Sequence, residues 1–246
     1  MSIVLSGDIH GDEYELRWRL RDLEGGLRVH EGDTLVCLGD VGLLYGDYEA
    51  RDLARLLEGL PCDVVVMRGN HDARYWRDML GGYYGHNVER RVWGGGEVLV
   101  EADRPNVLYL PDEGGLFTIE GKRCLFVPGA YSVDKWFRLR SGYPYEREEQ
   151  LFPDEMDRLM EVAREGRVDY VFSHTCPLSW QPCFRDLFLP GLPQSEVDKS
   201  MEEWMDQLLD VVSPGLEGWY FGHYHDDRQI DADVPARMLM NELVRL

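Results

Sequence analysis

Basic residues are scarce in this chain: Lys and Arg number 26 against 46 Asp plus Glu over 246 residues, a net charge of −20. Proteins that coat DNA or an anionic membrane draw on clustered Lys and Arg, so the shortage argues against both roles. A phosphate-bearing substrate stays open, because a local cationic centre outvotes a global acidic field. The cysteines Cys37, Cys62, Cys124, Cys176 and Cys183 are odd in number and contain no C-x-x-C pair. Neither a disulfide framework nor a thiolate zinc site is therefore expected, and free thiols in a reducing cytosol are. No apolar run approaches the roughly 18–20 residues of a membrane span. The apolar start from Met1 to Leu5 lacks the basic flank and longer core of a signal peptide, and Asp8, Asp12 and Glu13 follow at once. The expectation is a cytoplasmic protein. Hydrophobic residues make up 44%, with 7 Trp, 13 Tyr and 8 Phe, which excludes a disordered chain. A chain of this length buries roughly 70–75% of its unfolded surface, so folding needs no metal or disulfide.

Short β-branched runs at about residues 3–5, 34–38, 64–67, 123–127, 170–172 and 219–221 read as buried strands. Helical spacing covers about residues 12–24 and 50–60, the second with Leu53, Leu56, Leu57 and Leu60 as a core stripe. Strand–helix–strand alternation means a parallel sheet and an α/β fold. From about Arg91 the pattern becomes hairpin-like, with strands near 98–100, 107–110 and 117–120. Helices follow near 146–165 and 195–212, then strand-like segments near 228–230 and 237–246. Gly81-Gly82 and Gly94-Gly95-Gly96 read as flexible loops. No repeat or linker interrupts the chain, so a single domain over residues 1–246 is expected.

Histidine placement carries the chemistry. Of seven histidines, His10, His71, His174, His223 and His225 directly follow a predicted strand; only His30 and His86, left as surface or packing residues, do not. Strand ends at one edge of an open α/β sheet form its ligand crevice, so residues distant in sequence converge there. In Ser6-Gly7-Asp8-Ile9-His10-Gly11, Asp8 and His10 stand at i and i+2 of an extended segment and can grip one cation. Asp40, in Gly39-Asp40-Val41-Gly42, supplies two oxygens that can bridge two metals. Asn70, in Gly69-Asn70-His71-Asp72, offers a neutral amide oxygen, and His71 can face substrate. His174 follows a late strand, and Gly222-His223-Tyr224-His225 repeats the i, i+2 pairing. Any one of these reads equally well as a capped strand end; five together do not.

In this order, D-x-H, G-D-x-G, G-N-H-D, a lone His and G-H-x-H resemble the calcineurin-like metallophosphoesterase superfamily over Asp8 to His225. Ser132-x-Asp134-Lys135-x-x-Arg138, His-Thr-Cys-Pro and Gly-His-Tyr-His-Asp are similar to a small bacterial and prophage-associated branch. The resemblance implies a two-sheet β-sandwich flanked by helices, four layers in α-β-β-α order, with a dinuclear site at one edge. It assigns Asp8, His10 and His225 to one divalent metal, Asn70, His174 and His223 to the other, Asp40 to both, and His71 to general acid catalysis. Imidazole and carboxylate ligands suit Mn, taken as the leading candidate, or Fe, Zn, Ni or Co. With a bridging hydroxide such a centre carries about +1, enough to draw in a phosphate, and a metal hydroxide attacks in line without a covalent phospho-enzyme.

The sequence departs from the family at Leu43, where many members carry a second Asp. The usual carboxylate partner of the catalytic His is then missing, with Asp72 or Asp47 as the candidates to replace it, if any carboxylate does, and the Arg of protein phosphatases is absent although Arg68 is similar to that group. Lys135 and Arg138 are candidates to clamp a substrate anion, against the plainer reading of an ion pair with Asp134. Tyr83, Tyr84, Trp93, Tyr143 and Tyr145 could stack a base, although packing under loops is the simpler account. Cys176 lies near His174 in sequence, most simply as a small buried residue, and the acidic run Glu146, Glu148, Glu149 reads as a solvated helix start. The expected function is hydrolysis of a small phosphodiester or phosphomonoester, nucleotides included. A nuclease or protein phosphatase of the same superfamily, or a non-catalytic scaffold, is the alternative. No membrane and no strong nucleic-acid binding is expected.

Overall fold

Strands that are apolar at every position cannot leave either face in water, and this chain covers them on both sides. The computed structural model describes residues 2–143, 145 and 147–246. In chain order the first elements are β1 (Ile3–Ser6), α1 (Glu13–Arg19), β2 (Thr34–Leu38), the hairpin β3 (Leu44–Tyr45) and β4 (Tyr48–Glu49), α2 (Arg51–Glu58), β5 (Asp63–Met67) and α3 (Tyr75–Leu80). Then come β6 (Val88–Trp93), β7 (Gly96–Glu101), β8 (Arg104–Tyr109), β9 (Gly115–Ile119), β10 (Lys122–Val127), α4 (Lys135–Ser141) and α5 (Pro153–Arg164). The chain ends with β11 (Tyr170–Ser173), α6 (Ser200–Val212), β12 (Gly218–Phe221), β13 (Arg228–Ile230), β14 (Ala236–Met238) and β15 (Val244–Arg245).

One sheet runs β15-β1-β2-β5-β8-β7-β6 and the other β13-β14-β12-β11-β10-β9. Alternate residues of each strand enter different cores, as the two-residue repeat requires. Ile3, Leu5, Val36, Leu38, Val65 and Met67 meet Phe117, Cys124, Phe126 and Phe172 between the sheets. Val4, Leu35, Cys37 and Val64 face outward under Leu16, Leu53, Leu57 and Met79 of α1 to α3. Leu125, Val127, Val171 and Trp219 face the opposite way under Leu159, Met201, Met205 and Leu208 of α5 and α6. The layers are therefore helix, sheet, sheet, helix, the expected fold class.

Several expected boundaries shift for local reasons. The first helix stops at Arg19, because Asp22 Oδ1 accepts from the amides of Glu24 (2.9 Å) and Gly26 (2.8 Å) and turns the chain. The stripe on α2 packs into the core as expected, with Leu53, Leu57 and Leu60 buried and half-buried Leu56 packed against them, although the helix ends at Glu58, before Leu60. The helix expected from 146 begins at Pro153, a residue preorganised for the first turn. Glu146 lies outside the described residues, as does Met1. Glu149, expected on a solvated helix start, is buried in a 3₁₀ turn and paired with Arg138. The last helix begins at Ser200, whose amide donates to Asp198 at 3.0 Å. Gly94 and Gly95, at φ 59° and 86°, form the two-residue turn between β6 and β7 rather than a flexible loop. The segment 237–246 is two strands, not one: Asp227 accepts from the amides of Met240, Asn241 and Glu242 and carries the chain from β14 across to β15. Unforeseen from the sequence are α3, α4, the β3–β4 hairpin and a 3₁₀ segment at Leu178–Leu187. No helix among the described residues is long and apolar enough to cross a membrane.

Candidate metal and phosphoester site

Strands β1, β2 and β5 run parallel, as do β10, β11 and β12, so their carboxyl ends reach one edge of the sandwich. The residues after β1, β2, β5, β11 and β12 are those singled out above. Asp8 Oδ2 lies 3.3 Å from His225 Nε2, and His225 Nε2 lies 3.0 Å from His10 Nε2. These three donors all fall within 4.8 Å of one another. Across the edge, His174 Nε2 sits 2.9 Å from Asn70 Oδ1, and the His174 and His223 rings are 5.1 Å apart. Asp40 joins the two groups, with Oδ1 3.3 Å from His174 Nε2 and Oδ2 4.0 Å from His10 Nδ1. His71 presents its amide to Asp40 Oδ1 at 2.7 Å and its ring at 5.8 Å from that of His10.

The backbone is strained to achieve this. Five non-glycine residues have positive φ among the described residues, and four are His10 (53°), Asp40 (47°), His223 (71°) and His225 (56°). Each such conformation costs about 1–3 kcal/mol and persists where surrounding structure imposes it. Two glycines make room: a Cβ on Gly69 would overlap Asp40 Oδ1, and one on Gly222 would overlap Asp8 Oδ1. Asp72 supplies the restraint. Its Oδ2 accepts from the amides of Val41 (3.1 Å) and Gly69 (2.8 Å), and its Oδ1 from the amide of Gly42 (2.7 Å) and the hydroxyl of Tyr75 (2.9 Å). Asp72 thus ties the turn of Asp40 to the turn of Asn70. Its hydrogen bonds go to those turns rather than to His71, and Asp47 accepts from Tyr83 at 2.7 Å.

The electrostatics suit a cation. Burial opposes ionisation of Asp40, but His174, His71 and His10 outweigh it and hold the carboxyl well below the usual range. Burial pushes His223 down to about 3, helped by His174. For His174 burial opposes the charge, yet Asp40 and Asp8 prevail and lift it to about 9. Its Nδ1 donates to Leu38 O at 2.9 Å, so Nε2 faces two oxygen acceptors, Asn70 Oδ1 and Asp40 Oδ1. Three electron-pair donors converging this way need a proton or a metal between them.

Other expectations fall elsewhere. Arg138 is 4% exposed: Nη2 makes two 2.9 Å bonds to Glu149, Nε lies 3.1 Å from Asp134, and Nη1 donates to Tyr45. The guanidinium therefore stands behind Tyr45, whose ring is 5.9 Å from that of His71. The Lys135 ammonium lies over the rings of Tyr131, Trp136 and Tyr145. Tyr83 and Tyr84 hold the β3–β4 turn through Asp47 and Gly46, Trp93 packs on Phe117, and Tyr143 stacks on Phe137. A cavity of about 290 Å³ opens from Asp40, His71 and His223, and Tyr131, Phe188 and Tyr224 line it instead. Tyr224 was visible inside G-H-Y-H; Phe188 carried no signal. Cys176 is buried in the outer core beneath α6, His30 is exposed beside Asp33, and His86 is wedged between Glu101 and Glu49.

The family profile for calcineurin-like phosphoesterases matches residues 1–227. The chain belongs to this family. It is accordingly a phosphoesterase, a hydrolase of a family that uses divalent metals, and the Asp8, His10, His225 cluster fits such an ion. No curated protein matches the chain. Among solved structures, a phosphopantetheinyl hydrolase from Mycobacterium tuberculosis shares 16% identity at a TM-score of 0.55, over 97% of this chain and 89% of that one. A protein of unknown function from Aquifex aeolicus shares 17% identity at a TM-score of 0.34, over 71% of this chain and 80% of that one. The first likeness shows that the phosphoesterase fold extends over nearly all of this chain.

Proposed function

We propose that this phosphoesterase is one domain over residues 1–246 that hydrolyses a small phosphodiester or phosphomonoester at a two-metal site in the cytoplasm. The observation that carries the reading is Asp40, buried between two ligand groups and within 3.3–4.0 Å of a histidine from each. Asp8, His10 and His225 would hold one ion, Asn70, His174 and His223 the other, with Asp40 shared. This mixed oxygen and imidazole set suits Mn first, with Fe, Zn, Ni or Co as alternatives. Two divalent ions bound there supply Lewis acidity to the phosphoryl group and acidify the attacking water. Asn70 is oriented for its task by Ser132, whose hydroxyl accepts from Nδ2 at 2.7 Å. His71 lines the cavity, and burial lowers its basicity against the opposing pull of Asp40. The phosphate of an incoming ester favours its imidazolium, which then gives its proton to the leaving oxygen. The cavity admits a small ester, and the net charge of −20 repels nucleic-acid polymers. The free thiols support a reducing compartment.

The test uses His71→Ala on metal-loaded protein with p-nitrophenyl phosphate, its bis ester and an alkyl ester. Metal content should stay near that of the unmodified chain while turnover of the poor alkyl leaving group falls roughly 10²–10⁴-fold. Unchanged alkyl-ester turnover removes His71 from the acid role.

A further inference from the structure

The catalytic cavity carries one cation besides its histidines, and the phosphoryl chemistry does not use it. Beyond Asp40 and the histidines, the charged residues lining the cavity are Asp134, Lys199 and Glu202. Asp134 is engaged by Arg138, whose Nε lies 3.1 Å away. Glu202 is 3% exposed and stays behind the wall. The charge that this wall presents to the cavity is therefore the ammonium of half-buried Lys199.

That ammonium is held by groups that leave its charge uncancelled. Lys199 Nζ donates to Gln181 Oε1 at 2.6 Å and to Gln194 Oε1 at 2.9 Å, both neutral amides, and stands 5.3 Å over the Phe188 ring. Gln181 is fixed in its turn: its Nε2 donates to the Tyr224 hydroxyl at 3.1 Å, and the chain runs on through Thr175 to Glu202 Oε1. No carboxylate oxygen of the described residues lies within 4.0 Å of Lys199 Nζ. Asp198, its neighbour in the chain, accepts instead from the Ser200 amide at 3.0 Å and from Gln150 at 3.2 Å. Burial pushes the Glu202 carboxyl up to about 7, so its charge is incomplete at neutral pH. An ammonium has three N–H donors, and the two amides take two of them.

Resting on the phosphoesterase reading above, we propose that Lys199 forms a second anion subsite in the catalytic cavity, one that binds a carboxylate or phosphate carried on the organic arm of the substrate. The third N–H supplies a charge-assisted hydrogen bond, stronger than one to a neutral oxygen. Neutral acceptors already occupy the other two positions, so what the ammonium lacks is negative charge rather than another amide. The two glutamines and the Phe188 ring hold the side chain ready, which lowers the entropy cost of binding. Phe188, Leu192 and Val197 line the same cavity and pack the carbons between the two anions. Within an acidic protein of net charge −20, a local cation of this kind selects the anionic arm over a neutral one.

The experiment uses metal-loaded protein and p-nitrophenyl phosphodiesters whose second group is an alkyl arm of increasing length. The arm ends in a carboxylate, in a phosphonate, or in a carboxamide as the neutral isostere of the carboxylate. At the best length an anionic arm should exceed the carboxamide roughly 10-fold in kcat/KM, and the larger ratio tells carboxylate from phosphate. Lys199→Met should bring that ratio to one or below; comparing arms within each variant cancels general losses of activity. Attraction of the arm to the metals survives in Lys199→Met, so only the fall in the ratio belongs to Lys199. Ratios near one at every length in the unmodified protein, or an undiminished ratio in folded Lys199→Met, overturn the subsite. Where Lys199→Met does not fold, Lys199→Gln decides by the same ratio. Absence of turnover with every diester would count against the reaction proposed above and not against the subsite. The subsite is then judged by calorimetric binding of the matching methylphosphonates: tenfold tighter binding of an anionic arm, lost in Lys199→Met, supports it, and equal binding overturns it.

Discussion

Asp72 offers the sharpest test of how the site is held together. Asp72→Asn keeps the side-chain shape and removes one acceptor oxygen. In the better of its two orientations, the remaining oxygen still serves the amides of Val41 and Gly69, and Tyr75 can turn to accept. The Gly42 amide, now bonded at 2.7 Å, then faces an NH₂ group and is left unpaired. A charge-assisted bond is lost, and the others weaken to neutral ones. Relief from burying a carboxylate offsets part of this, leaving a net loss of about 2–4 kcal/mol. In a chain of 246 residues that lowers Tm by about 5–15 °C. The same turn carries Asp40 at φ 47°, so metal affinity should fall as well, by about 10- to 100-fold. Urea titration of metal-stripped protein reads the first effect, and calorimetric Mn titration reads the second. An Asp72→Asn protein with full stability and metal affinity but a shifted pH dependence of kcat would refute this reasoning. It would make Asp72 the orienting partner of His71.

Three further outcomes follow from the geometry. Gly222→Ala should keep the fold but lose metal affinity by about 10- to 100-fold, because the new Cβ overlaps Asp8 Oδ1; unchanged metal content would show that the turn has slack. Arg138→Ala should destabilise by about 3–5 kcal/mol by removing the guanidinium that neutralises the buried Glu149 carboxylate, whereas Arg138→Met with Glu149→Met should recover most of it; a stable Arg138→Ala with a raised KM would instead give Arg138 to the substrate. For Glu155, burial opposes ionisation, but the paired Arg74 and the Phe152 amide outweigh it and depress the folded carboxyl below its usual value. Its contribution is therefore complete above the unfolded carboxyl's value and fades as pH falls through the lower folded one. Glu155→Gln should flatten that acid limb in denaturation curves and cost about 3–5 kcal/mol at neutral pH, and an unchanged acid limb would rule the pair out as its source.

The meeting of Asp8, His10, Asp40, Asn70, His174, His223 and His225 at one edge was legible because these residues belong to short glycine-flanked motifs after apolar runs. That pattern is local, so β2 ran over residues 34–38 as its composition implied. The roles of Arg138 and Glu149 were not legible, since their pairing depends on α4 folding back over a 3₁₀ turn. For the loop aromatics the simpler reading holds: Tyr83 and Trp93 sit in glycine-rich segments and their contacts go to Asp47 and to Phe117.

What the sequence by itself determined is the alternation that makes the sandwich and the strand-end residues that can ligate metal, because hydrophobic period and backbone-permissive glycines act over a few residues. Only the tertiary structure decided that Asp72 staples two turns, that Arg138 is neutralised by Glu149, and that Glu202 ends a hydrogen-bond chain with one oxygen unfilled. Each depends on groups 11 to 30 residues apart meeting in a site shielded from water, where an unpaired charge or donor is costly, and no local pattern encodes that meeting.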